Sequence, residues 1–134
     1  MKKILMICAL CFTIATHAYA DSCAGGHGEV VVGNDGKSYC ASKIAMNWWS
    51  ANAWCVANGM SLIDTNKHCT CTGHDNCNVS VSCPNFYKVG SSNVWTATPN
   101  GSSNAYGVSL NSGNFFHGNL SRNFNGYLAL CAQP

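Results

Sequence analysis

Short runs of apolar residues separated by turn formers dominate the first part of the chain. Glu29-Val30-Val31-Val32 is β-branched, and Asn34-Asp35-Gly36 divides it from the run at residues 37–41. An Asn/Asp/Gly cluster between two such runs predicts a β-hairpin, because these residues tolerate the backbone angles of a tight turn. From Met46 to Asn58 the rhythm becomes helical. Trp48, Ala51, Cys55 and Asn58 recur at three- and four-residue steps, with Trp54 flanking the stripe. Asn47 is placed to cap the N-terminus and Gly59 to take the left-handed position after the last turn, giving a helix of about three turns. Residues 60–63 then read as a short apolar strand. Residues 64–89 keep neither period and read as a long loop, of a kind that is functional or covalently held. The last third is β in character. Residues 94–97, 106–110 and 127–130 are candidate strands, and Asn111-Ser112-Gly113-Asn114 is expected to turn the second back into residues 115–117. The pattern is that of a mixed α+β domain with one main helix.

The first twenty residues belong to a different pattern. Lys2 and Lys3 precede an apolar stretch at residues 4–15, and Ala18-Tyr19-Ala20 is a small-residue cleavage site. The stretch has no polar face, so it is read as a secretory signal peptide rather than a core helix. The expected division is a signal over residues 1–20 and a single domain over residues 21–134. Ile7 and Leu10 precede Cys8 and Cys11, where lipid attachment requires a small residue, so no lipid anchor is expected. No apolar run reaches the roughly 18 residues of a helical membrane span.

Charge narrows the partners. Without the two signal lysines, Lys37, Lys43, Lys67, Lys88 and Arg122 balance Asp21, Glu29, Asp35, Asp64 and Asp75. A chain that is near neutral, with no basic stripe, gives electrostatic support neither to nucleic acid nor to an anionic membrane surface. Eight cysteines remain: Cys23, Cys40, Cys55, Cys69, Cys71, Cys77, Cys83 and Cys131. An even number in a short exported chain reads as a disulfide framework. Cys23 and Cys40 flank the open end of the predicted hairpin and are expected to staple it. Cys69, Cys71, Cys77 and Cys83 are expected to pair among themselves. Cys69 and Cys71 are too close to bridge each other. Nested Cys69–Cys83 and Cys71–Cys77 bridges are favoured over the crossed arrangement. Zinc on these cysteines with His68 and His74 is the rival reading. The spacing is not that of a paired knuckle, and an oxidising compartment removes the thiolates zinc needs.

One constellation is more specific than composition. Trp48-x2-Ala51-x3-Cys55-x3-Gly59-x2-Leu62 resembles the first-helix signature of C-type lectin-like domains, and Gly126-Tyr127-Leu128-Ala129-Leu130-Cys131 resembles their final strand. Val94-Trp95-Thr96-Ala97-Thr98, Ala105-Tyr106, Ser112-Gly113 and Arg122 are similar to the tail of exported bacterial domains of that fold. The resemblance spans roughly residues 39–131 and is interrupted by a cysteine-rich insertion at 69–83. It implies a C-type lectin-like fold and a Cys55–Cys131 bridge. It also exposes a departure. Sugar-binding members chelate calcium through Glu-Pro-Asn or Gln-Pro-Asp followed by Trp-Asn-Asp, whereas this chain has Thr98-Pro99-Asn100 and no acidic residue after Asp75. Calcium prefers charged oxygen ligands, so neither metal nor cofactor is expected.

The expected function is binding without calcium, to a glycan or a protein surface, by a module that is secreted, periplasmic or displayed on the cell surface. The alternative is a structural subunit of a surface or secreted assembly. Catalysis is not expected, because His27, His68 and the carboxylates are scattered and paired cysteines offer no thiolate. Asn93, Asn100, Asn104, Asn123 and Asn125 offer neutral amides, and Trp95, Phe116 and Phe124 offer apolar faces. The candidate ligand-binding residues among them are Asn100, Asn104, Asn123 and Asn125 with Trp95 and Phe116. Trp48, Trp49 and Trp54 are assigned to helix packing.

Overall fold

A computed structural model describes Cys23, residues 26–70, Cys83, residues 93–110 and residues 116–134, with the backbone alone for 116–119. The proposed signal peptide, the candidate bridge Cys71–Cys77 and the predicted turn at 111–114 lie outside the described residues. The order of elements is β1 (Gly28–Val32), β2 (Ser38–Ser42), α1 (Trp48–Ala57), β3 (Ser61–Leu62), α2 (Thr65–His68), β4 (Asn93–Asn100), β5 (Asn104–Ser109), β6 (Phe116–Ser121) and β7 (Leu128–Ala132).

The centre of the molecule is β7, whose sequence Leu-Ala-Leu-Cys-Ala is apolar throughout. A strand with both faces covered reads in this way. On one edge it pairs antiparallel with β2, setting Cys40 opposite Cys131 and Ala41 opposite Leu130. On the other edge β4 runs parallel to Leu128 and Ala129, and β3 takes over antiparallel at Cys131 and Ala132. The resulting sheet has the order β1-β2-β7-β4-β5-β6, with β3 beside β7. Alternate side chains divide between two cores, as the period of two requires. Cys40, Leu62, Trp95, Ala129 and Cys131 join Ala51 and Cys55 of α1 in one cluster. Tyr39, Ala41, Ile63, Val94, Leu130 and Ala132 join Cys83 in the other.

Local signals account for the elements. Asn47 caps α1, its side chain accepting from the Ser50 N–H at 2.9 Å, and Gly59 follows the helix at φ 68°. The β1–β2 hairpin forms around residues 33–37, where Asp35 accepts from the Lys37 N–H and the Tyr39 hydroxyl. The one-turn helix α2 is an addition to the sequence reading. Its Asp64 cap holds the Asn66 N–H at 2.9 Å, but four residues are too few to establish a period. Strand β4 also runs further than predicted, through Pro99 to Asn100. Proline lacks a ladder donor, and the β4–β5 register shifts between Trp95 and Pro99.

Among the described residues three disulfides tie these layers. Cys23–Cys40 closes the β1–β2 hairpin, Cys55–Cys131 joins α1 to β7, and Cys69–Cys83 lies on the face opposite α1. Cys55–Cys131 is the pair that the family resemblance implies, and Cys69–Cys83 belongs to the nested scheme. Among the described residues no helix is long and apolar enough to cross a membrane.

Candidate functional site

The first turn of α1, the β4–β5 turn and the segment after β6 meet at one side chain. Arg122 is the sole arginine of the chain. Its backbone N–H donates to the Ser103 carbonyl and its carbonyl accepts from the Trp48 N–H, both at 2.9 Å. The guanidinium donates through Nε to the Asn104 carbonyl at 3.0 Å and through Nη2 to the Gly101 carbonyl at 3.4 Å. It lies 4.5 Å from the centroid of the Trp48 ring and 5.2 Å from that of Trp49. Cation–π attraction of this kind contributes roughly 0.5–1 kcal/mol at a partly exposed position.

The two indoles have different duties. Trp48 donates from Nε1 to the Thr96 carbonyl at 2.9 Å and is half-buried, so it fastens α1 to β4. Trp49 meets it edge-on at 4.9 Å and is 52% exposed. Consecutive helical residues point about 100° apart, and with Trp48, Ala51 and Cys55 turned inward Trp49 faces solvent. Its assignment to helix packing is therefore corrected. That geometry was the signal in the sequence that would have found it. Nothing local marked Arg122 as its neighbour.

Phe124 adds a second exposed ring, at 47%. It stands T-shaped to Tyr127 at 5.7 Å and covers Gly126, where any β-carbon would run into the phenyl ring. Tyr127 is seated in turn on Gly107 and tilted against Trp95 at 5.1 Å, and burial raises its phenol pKa. Asn123 and Asn125 flank Phe124 and are exposed. Asn100 and Asn104 face each other across the β4–β5 hairpin, half-buried, on either side of a turn that needs Gly101 at φ 73°.

Of the candidate ligand residues, Asn104 meets Arg122 through its backbone carbonyl, Asn123 follows Arg122 directly in the chain, Asn125 lies two residues further on, and Asn100 lies across the β4–β5 turn. Trp95 does not belong with them. Its ring has no exposed surface, and its Nε1–H is spent on the Met46 carbonyl at 2.8 Å, so it is a core residue with no face for a ligand. Phe116 opens β6 opposite Val108, and its ring lies outside the described residues. The sequence also reads as two long loops, residues 64–99 and 118–125, clustered at one end of the scaffold; the structure shortens both, because residues 93–99 belong to β4 and residues 118–121 to β6. Thr98 is turned inward, its hydroxyl 2.6 Å from that of Thr65.

Such a surface can stack a flat ring on an indole, offer neutral amides at the rim and present a guanidinium between them. Comparison of the chain with protein-family models, with curated proteins and with solved structures returns no match.

Proposed function

We propose that this chain is an exported C-type lectin-like module that binds a glycan or a protein surface without calcium. The observation that carries the reading is the exposed Trp49 ring beside Arg122, with Phe124, Asn123 and Asn125 on the adjoining segment. Tryptophan and arginine are the residue types most often decisive in recognition surfaces. A Cys55–Cys131 bridge between α1 and the last strand supports the family resemblance. Disulfides, with no membrane-crossing helix among the described residues, are compatible with an extracellular address. The inward turn of Thr98 supports a calcium-free mode, since its hydroxyl is engaged with Thr65.

The test is a glycan array and a pull-down on the oxidised protein, repeated with a calcium chelator and separately with a thiol reductant. Binding should survive chelation and fail on reduction. Loss of binding on chelation alone refutes the metal-free mode.

One observation favours the structural-subunit reading. Trp49 and Val56 lie seven residues apart on one face of α1, and both are exposed. Sedimentation of the wild type against Trp49→Ala separates the two, since a subunit changes its oligomeric state and a monomeric binder does not.

A further inference from the structure

The charge around the exposed indole points to a narrower ligand class. Arginine carries five N–H donors in a planar fork. In Arg122, Nε and Nη2 each donate to a carbonyl, and the remaining N–H groups have no acceptor among the described residues. No carboxylate neutralises it there either. Glu29 is spent on Lys43, Asp35 on Tyr39 and the Lys37 N–H, and Asp64 on capping α2. Beyond Asp75 the chain has no Asp or Glu, so across β4, β5, β6, β7 and the segments joining them Arg122 is the one Lys, Arg, Asp or Glu in the sequence. The guanidinium is also fixed, because two carbonyls and the Trp48 ring hold it beside Trp49.

Resting on the glycan reading above, we propose that the ligand is an acidic sugar, with its ring stacked on Trp49 and its carboxylate or sulfate on the Arg122 donors that no described residue engages. A fixed guanidinium takes an oxyanion through paired, charge-assisted hydrogen bonds that a neutral hydroxyl cannot match. A sugar fits better than an acidic peptide. The apolar part of the patch is the Trp49 indole with the Phe124 ring on the adjoining segment, rimmed by neutral amides at Asn123 and Asn125, which suits a small polar ring with a flat face.

The experiment uses the oxidised protein on an array that pairs each neutral glycan with its uronic or sialylated counterpart, together with a poly-glutamate peptide. Titrations follow at low and high salt. The acidic member of a pair should bind about tenfold more tightly, a preference that shrinks as salt screens the exposed charge. Trp49→Ala should abolish binding to both members, and Arg122→Lys should erase the preference, because an ammonium cannot reproduce the fork. Arg122 also braces the β4–β5 turn, so the melting temperature of that variant is measured alongside. The salt series on the wild type decides the matter should the variant unfold. Equal binding of neutral and acidic members overturns this inference and leaves the parent reading standing. Capture by poly-glutamate with a blank array overturns it in favour of a protein partner. A blank array without capture refutes this inference together with the glycan half of the parent reading, whose protein half the pull-down tests.

Discussion

The two faces of the central sheet are held by different physics. On the α1 face the filling is large and rigid. Trp95 and Tyr127 stack over a helix bonded covalently to β7, and the cluster includes both sulfurs of Cys55–Cys131 and both of Cys23–Cys40. Cys40 and Cys131 are register partners, so their side chains project together and bring the two bridges side by side. The opposite face is filled by Ile63, Val94, Val108, Leu110 and Leu130, and closed by Cys83 and a one-turn helix. It is secured by a buried threonine pair, Thr65 and Thr98, and by a bridge of short reach. The difference teaches where exposure is tolerated. Because α1 is locked to β7 by a disulfide, its outer surface is free to present Trp49 without endangering the core.

The largest expected effect comes from cutting the bridges. Cys55–Cys131 spans 76 residues and Cys69–Cys83 spans 14. On the chain-entropy account their removal costs about 4.5 and about 3 kcal/mol respectively. Urea denaturation of the paired alanine variants should therefore rank the α1-face bridge as the more important by roughly 1.5 kcal/mol. The reverse ranking would mean that the face opposite α1 organises the fold.

Next comes overpacking. Gly107 lies beneath the Tyr127 ring, and a methyl group there also presses on Leu120 at 3.2 Å. Gly107→Ala should destabilise by about 1–3 kcal/mol, and a lowered melting temperature would register it. Since Tyr127 also supports Phe124, binding should weaken in parallel. An unchanged melt would show that the ring yields without cost.

The smallest effect sharpens the contrast from the other side. Thr98→Val removes one partner of the buried hydroxyl pair while keeping the volume, and should cost about 1–2 kcal/mol. Replacing Thr65 by valine as well should recover part of that loss, because a valine in each place leaves neither hydroxyl without the other. A double-mutant cycle with no coupling would show that the two hydroxyls act independently.

Much of this contrast was legible along the chain. The stripe through Trp48, Ala51 and Cys55, bounded by Asn47 and Gly59, marks α1 and its inward face, since capping and helical periodicity are local properties. The Asn-Asp-Gly cluster likewise marks the β1–β2 turn. The amide-rich segments were readable as binding candidates, and Asn123 and Asn125 are indeed exposed. The exposure of Trp49 was not. Trp95 and Trp49 are the same residue type in equally apolar surroundings of sequence, and exposure depends on what packs above each ring.

What the sequence determined by itself is the set of local choices: where the helix begins and ends, which runs are extended, where turns fall and which cysteines are available to pair. These follow from backbone preferences and side-chain period within a few residues. Only the tertiary structure decided that β7 would run between β2 and β4, which buried Trp95 on both sides of its ring, and that the residue after β6 would reach the start of α1. The pairing of β2 with β7 and the meeting of Arg122 with Trp48 and Trp49 are contacts between segments more than seventy positions apart. No local preference encodes such contacts, because their free energy exists only once the sheet has closed and water has left the space between the partners.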